Sequence, residues 1–160
     1  HGAGVVRSVV HHTGPGAIDD LSFCIPDPEL ASATERNGSG LNPTILRSDS
    51  RPALGETWNA TLDCSGMESG VAVLELRGLA TSGTLTPYGE VLVEGALLHR
   101  ASRVYTGSPS RLAWSVPYDL SLLGLEVHAQ GFCRGQSAVS RKSRAARIVL
   151  SNALDLVLGF

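Results

Sequence analysis

The stretch Trp58-Asn-Ala-Thr-Leu-Asp-Cys64 decides the fold class. Apolar side chains occupy every second position, and polar side chains fill the positions between them. Successive side chains of a β-strand point to opposite faces, so a period of two predicts a strand with one buried face. The same alternation returns at residues 125–129, where Leu125, Val127 and Ala129 are the apolar members.

Further strand-sized apolar runs lie on both sides of this stretch, at residues 71–76, 90–98, 104–105, 112–116, 147–150 and 154–158. Gly78 is expected to end the first of them, and Gly95 to mark a bulge or a close approach of another part of the backbone. Residues 24–53 carry closely spaced Pro and Gly, which predicts loop, with a short strand at Ile45-Leu46 and one helical turn within 29–36. Sustained helical periodicity is absent from the sequence. We predict an all-β, antiparallel two-sheet β-sandwich, either immunoglobulin-like or jelly-roll-like.

Residues 1–23 are predicted to be an N-terminal extension, and residues 24–160 a single sandwich domain. The β-branched residues of the extension predict a strand that the turn sequence Thr13-Gly-Pro-Gly16 ends. These residues are Val5, Val6, Val9 and Val10. Two interpretations stay open: an edge strand of the same domain, or a donor strand that pairs with a neighbouring copy.

Composition narrows the class of protein. The 160 residues are 42% hydrophobic, enough for one packed core, and the net charge of −2 gives no general attraction to nucleic acid or anionic membranes. The longest apolar runs are strand-sized, well short of the roughly 18 residues that span a bilayer. The chain begins with His1 rather than Met, which favours removal of a signal peptide and a secreted, extracellular or cell-surface location.

The three cysteines, Cys24, Cys64 and Cys133, are too far apart in sequence for a zinc knuckle. Cys64 lies an even number of positions from Trp58, and Cys133 an even number from Val127. In a β-strand such residues share a face, so both cysteines are expected to point inward. We favour a Cys64–Cys133 disulfide between the sheets. The alternative pairs Cys24 with one of them, and under the favoured pairing Cys24 is buried or bonds another molecule.

Two phrases in the second half of the chain resemble a known family. Val116-Pro-Tyr-Asp-Leu-Ser-Leu-Leu-Gly-Leu-Glu-Val-His-Ala-Gln130 and Leu150-Ser-Asn-Ala-Leu-Asp-Leu-Val-Leu-Gly159 are similar to phrases of a domain common in exported proteins of planctomycetes and similar bacteria. The resemblance covers residues 38–159 and implies a secreted β-sandwich without established catalytic residues. In the closing phrase, Ser151 and Asn152 lie between two apolar runs, where their side chains could stabilise a bend or bulge.

Candidate chemistry is sparse, and we expect neither an enzyme nor a cofactor. An N-terminal His1 could chelate copper with a second histidine, as in the histidine brace of secreted monooxygenases. The candidate partners are His11, His12, His99 and His128. The acidic residues Asp19, Asp20, Asp27 and Glu29 could attract calcium, but a solvated loop is the simpler interpretation. Motifs of nucleophile elbows and phosphate loops are absent from the sequence.

Two groups of residues in the sequence could bind other molecules. A basic run, expected in a hairpin loop, could dock onto an acidic surface such as the N-terminal carboxylates of a neighbouring copy. It comprises Arg134, Arg141, Lys142, Arg144 and Arg147. The aromatic residues Trp58, Trp114, Tyr88, Tyr105 and Tyr118 could serve a carbohydrate- or matrix-binding module, although both tryptophans resemble core positions. The first hypothesis is a structural subunit of an extracellular filament or surface assembly, and the adhesion module is the alternative.

Overall fold

The structure is a computed structural model, and it describes residues 30–137 and 146–160. These residues form eight antiparallel strands. The strands are β1 Ser32–Arg36, β2 Leu46–Ser48, β3 Thr57–Leu62, β4 Met67–Thr86, β5 Gly89–Tyr105, β6 Ser110–Ser115, β7 Glu126–Ser137 and β8 Ala146–Val157. The helical content of the described residues is a single 3-10 turn, Leu120–Leu122, which the Asp119 carboxylate caps by accepting from the Ser121 backbone N–H.

The strands form two sheets. The large sheet has the order β1-β8-β7-β4-β5, and the small sheet has the order β2-β3-β6. Their facing surfaces enclose the core, in which Trp58 and Leu62 of β3 and Leu74 of β4 are fully buried. The molecule is therefore the predicted all-β two-sheet sandwich.

The β4–β5 hairpin is much longer than the strands of the small sheet: β4 has 20 residues and β5 has 17, whereas β3 and β6 have six each. Its register shifts where Arg77 pairs with Leu97 and Leu79 pairs with Glu94, and Gly95 adopts a φ of +79°, which confirms the predicted bulge. Beyond the bulge, residues 78–95, here called the arm, lie over the outer face of the large sheet. Leu92 and Val93 of the arm pack there on Ala153 of β8 and form a second, smaller core.

A bulge also interrupts β8, opposite Gly131. Gln130 pairs with Ala153 but Phe132 pairs with Leu150, so two residues of β8 stand against one of β7. The Ser151 hydroxyl accepts from the Gly131 N–H at 2.9 Å, and both Ser151 and Asn152 are fully buried. The side chain at this position therefore stabilises a bulge, as the sequence indicated.

Several predicted boundaries were wrong. The helical turn expected within 29–36 is strand β1, because pairing with β8 overrides the weak local preference. Gly78 does not end a strand: β4 continues through it into the arm, and the runs predicted at 90–98 and 104–105 are one strand. The runs at 147–150 and 154–158 are also one strand, because the bulge changes the phase of the alternation.

Candidate interaction surfaces

One rim of the sandwich, between β5 and β6, is closed by side chains. The His99 Nε2 atom lies 3.3 Å from the Ala113 carbonyl oxygen, and the His99 ring stacks on Trp114 with centroids 6.2 Å apart. Arg103 donates to the Arg111 carbonyl at 3.4 Å. These contacts occupy two carbonyls of β6 that would otherwise be open to another strand, so the side chains protect the β6 edge of this rim against pairing.

The opposite rim, between β1 and β2, is closed only at one end. There the fully buried Asn152 side chain reaches across from β8: its Oδ1 accepts from the Leu46 N–H at 2.9 Å and the Ile45 N–H at 3.1 Å, and its Nδ2 donates to the Leu46 carbonyl at 2.9 Å. One amide thus replaces a neighbouring strand for β2. Sequence parity could not show this role, because it depends on β2 lying beside β8.

The other end of this rim is open. A groove of about 560 Å³ separates residues 30–33 from residues 48–51, and we call this groove the open rim. Within the described part of the chain β1 pairs only with β8, so alternate backbone N–H and C=O groups of β1 face away from the large sheet. Sequence reasoning missed this groove.

The wall of the open rim on the small sheet is held in place by hydrogen bonds. Trp58 donates its indole N–H to the Ser48 hydroxyl at 2.8 Å, and that hydroxyl donates to the Ser50 carbonyl at 2.7 Å. The Ser50 hydroxyl in turn accepts from the Asn59 N–H at 2.9 Å. The groove is therefore a preformed feature of the fold.

The arm is fixed to the large sheet by an ionic network around Arg36. The guanidinium donates to both Asp155 oxygens, at 2.8 and 3.0 Å, and to the carbonyls of Thr81 and Leu92 in the arm. His128 Nδ1 lies 2.7 Å from the same carboxylate. Burial works to raise the pKa of Asp155, but hydrogen bonds from Arg36 and His128 outweigh burial and hold the pKa below its usual range.

Replacing Arg36 by alanine is expected to lower the free energy of unfolding by about 2–3 kcal/mol, because it leaves the Asp155 carboxylate with His128 as its remaining partner and two arm carbonyls without a donor. Urea denaturation measures the change. Arg47→Ala is the matched control: its side chain is 70% exposed in its pair with Asp49, against 24% for Arg36, and the expected loss is below about 0.5 kcal/mol. Equal losses for the two variants would contradict the clamping role.

Cys64 and Cys133 form the predicted disulfide, which links the end of the small sheet's central strand to β7 of the large sheet. Both cysteines are buried. Cys24 lies outside the described residues.

The structure separates the described members of the predicted basic patch. Arg134 lies on the outer face of the large sheet, whereas Arg147 is one position out of phase with it and lines a cavity next to the disulfide. Both lie in strands rather than in the hairpin loop expected for them. Arg141, Lys142 and Arg144 lie outside the described residues, so the patch as a whole stays a prediction.

The aromatic candidates do not converge on one surface. Trp58 and Tyr105 are buried, and Trp114 is half-buried against the core. Tyr88 is exposed at the tip of the arm, and Tyr118 is exposed where it packs on Gly55. These positions offer no flat aromatic platform for a sugar among the described residues.

Two of the histidines considered for copper have other partners. His99 stacks on Trp114, and His128 is buried with its Nδ1 atom 2.7 Å from an Asp155 oxygen. Across residues 30–137 and 146–160, three or more His, Cys, Asp or Glu side chains nowhere come together as a metal site. Several predicted features lie outside those residues, namely the strand residues Val5, Val6, Val9 and Val10, the histidines His1, His11 and His12, and the acidic cluster Asp19, Asp20, Asp27 and Glu29.

No family model, curated protein or solved structure matches the chain. In the described part of the chain no helix is long and apolar enough to cross a bilayer. The fold and its rims define the class of protein: a disulfide-linked, all-β two-sheet sandwich with one rim closed by side chains and the other partly open.

Proposed function

We propose that the chain is a secreted structural subunit of an extracellular filament or surface assembly, in which the N-terminal strand of one copy adds to the open rim of the next. The observation that carries the proposal is the difference between the two rims. Side chains cover the β5–β6 rim, and Asn152 covers one end of the β1–β2 rim. The groove between residues 30–33 and 48–51 places the outer edge of β1 beside an open space.

The size and chemistry of the N-terminal strand suit this groove. Residues 5–10, Val-Val-Arg-Ser-Val-Val, are six residues long, and β1 has five residues, of which Ser32 and Ala33 line the groove. Strand addition draws its affinity from main-chain hydrogen bonds and its specificity from alternate side chains. In an extended segment one side would present Val6 and Val10 and the other Val5 and Val9, so both sides would offer apolar contact.

The tether between the strand and the rim is long enough to join two copies. Nineteen residues lie between Val10 and Leu30, and at ~3.3 Å per residue they span up to ~63 Å when extended. Donation from one copy to the next is head-to-tail, and a head-to-tail contact that does not close generates fibres.

Two observations support a location outside the cell. The Cys64–Cys133 disulfide is typical of proteins from oxidising compartments. The resemblance of the late phrases to a domain of exported bacterial proteins agrees with the same expectation. A structural role also fits two polar side chains that hold the fold together: the buried Asn152 fixes the end of β2, and the partly buried Arg36 fixes the arm.

Deleting residues 1–13 is expected to abolish fibre formation and leave soluble protein, because it removes the strand that the open rim would receive. Negative-stain microscopy and sedimentation velocity measure the outcome. The full-length variant Val6→Asp/Val10→Asp tests the same contact by placing two charges on the side of the strand that carries Val6 and Val10. We expect it to behave like the deletion.

Thr13→Asp is the matched control for the charged variant, since it adds charge in the predicted turn rather than in the strand. This control should assemble like the unmodified protein. Intact fibres from the truncated chain would refute the proposal, and so would fibres from the doubly charged variant that match those of the control.

A further inference from the structure

A second open surface lies on the outer face of the large sheet. The arm covers this face near Gln130, whose side chain donates to the Glu90 carbonyl at 2.9 Å and accepts from the Leu92 N–H at 2.9 Å. Past the arm, toward the end of β7, a groove of about 590 Å³ runs across β5, β4 and β7. We call it the outer groove.

The outer groove has an apolar floor and a basic rim. Val71, Val73 and Phe132 line it, and Val71 is 36% exposed on a sheet face where polar residues are usual. Arg100 and Arg134 stand over this floor, and none of the described residues lining the groove is acidic. Arg100 pairs with Glu75, whereas Arg134 has no ion-pair partner within the described residues.

We propose that the outer groove receives residues 17–23 of a second copy, Ala-Ile-Asp-Asp-Leu-Ser-Phe. This segment complements the groove in both respects: Ile18, Leu21 and Phe23 supply apolar surface, and Asp19 and Asp20 supply adjacent carboxylates without a cation among them. A carboxylate beside Arg134 would form a charge-assisted, bidentate hydrogen bond. This contact would be a second interface in the proposed assembly. It rests on the proposed function because it also requires two copies of the chain to associate.

Geometry favours a second copy over the same chain as the donor. β1 begins where Ser32 pairs with Val157, and Val157 also pairs with Glu126, at the opposite end of β7 from Arg134. Eight residues of β7 separate these levels, about 26 Å at ~3.3 Å per residue, and two strands lie between β1 and β4. The arm occupies the outer face along that path, so the chain's own segment would have to cross it almost fully extended. A neighbour's segment meets the groove directly.

A charge exchange tests the contact in the full-length Val6→Asp/Val10→Asp background, where strand addition is removed and residual association reports the groove alone. Arg134→Glu, and separately Asp19→Lys/Asp20→Lys, should each weaken that association at least ~10-fold by sedimentation velocity at low salt, since like charges then face each other. An equimolar mixture of the two variants should recover it, because the reversed groove then meets the reversed segment on another molecule. Arg111→Glu, at an exposed arginine of the small sheet, is the charge-matched control and should change nothing.

Four results would overturn the proposal. Arg134→Glu could associate as the background protein does, or the mixture could fail to recover association. Binding could also be recovered only when both charge changes are made in the same chain, at any protein concentration. That result would mean that the segment binds the outer groove of its own molecule. A peptide of residues 17–23 should compete, and equal competition by a scrambled peptide of the same composition would indicate general affinity for acidic partners instead. Failure of strand addition shows itself separately, as fibres that survive the Val6→Asp/Val10→Asp change.

Discussion

Replacing both Cys64 and Cys133 by alanine is expected to lower the free energy of unfolding by about 4 kcal/mol. The disulfide joins positions 69 residues apart, and in the chain-entropy model a cross-link over so long a loop removes much of the freedom of the unfolded chain. Both sulfurs are buried between the sheets, so the double replacement also leaves a small void in the core. Calorimetry should record a fall in Tm of about 10 °C or more for a chain of this length.

Cys24→Ser is the control for this prediction. Because the structure pairs the other two cysteines, removing the third thiol should leave the free energy of unfolding unchanged within about 0.5 kcal/mol. Non-reducing electrophoresis then tells whether Cys24 bonds another molecule. A large loss of stability in Cys24→Ser, with little loss in the double alanine variant, would contradict the pairing.

Asn152→Ala is expected to cost about 3–4 kcal/mol, a large effect for the loss of one amide. The side chain is fully buried and makes three hydrogen bonds to the backbone of Ile45 and Leu46. Alanine leaves buried N–H and C=O groups unpaired, and each such group costs about 1–3 kcal/mol. The denaturation midpoint in urea measures the loss, and hydrogen exchange at Leu46 shows whether the end of β2 opens.

Asn59→Ala provides the comparison, since its side chain makes one exposed hydrogen bond to the Thr57 carbonyl. We expect a change within about 0.5 kcal/mol for that variant. If Asn152→Ala were no more damaging than Asn59→Ala, the amide would not be closing this end of the rim.

The core of the fold could be predicted because burial on one face leaves a direct trace in the sequence. Trp58 and Leu62 alternate with polar residues on a strand that faces the large sheet, and both are fully buried. The same parity argument placed Cys64 and Cys133 inward and found their disulfide.

Features that break the alternation could not be predicted in the same way. In β8 the bulge changes which alternate residues face the core, from the odd-numbered Val149 to the even-numbered Leu154. The alternation is therefore broken, and the sequence of one strand resembles that of two. The arm has partners on the outer face of the large sheet rather than in the main core, and its sequence lacks a sustained period. Gly78 and Gly95 mark the two ends of the arm in the sequence. Gly78, however, is as typical of the end of a strand as of a bend within one.

The candidate sites depend on strand order, which a single sequence does not reveal. Arg36 and Asp155 lie 119 positions apart, and nothing local marks them as partners. The open rim exists because β1 and β2 are edge strands of different sheets. The order of strands in a sheet cannot be inferred from the alternation of apolar and polar residues. The outer groove combines residues of three strands for the same reason.

Hydrogen exchange at β1 tests strand addition most directly. We predict that in the assembled full-length protein a subset of the amides of residues 32–36 exchanges slowly, while in the chain lacking residues 1–13 the same amides exchange rapidly and those of the central strand β7 keep their protection. Dilution of the full-length protein should release the β1 amides, because the donated strand belongs to another copy. Protection of β1 that is identical in the two proteins would contradict strand addition at the open rim.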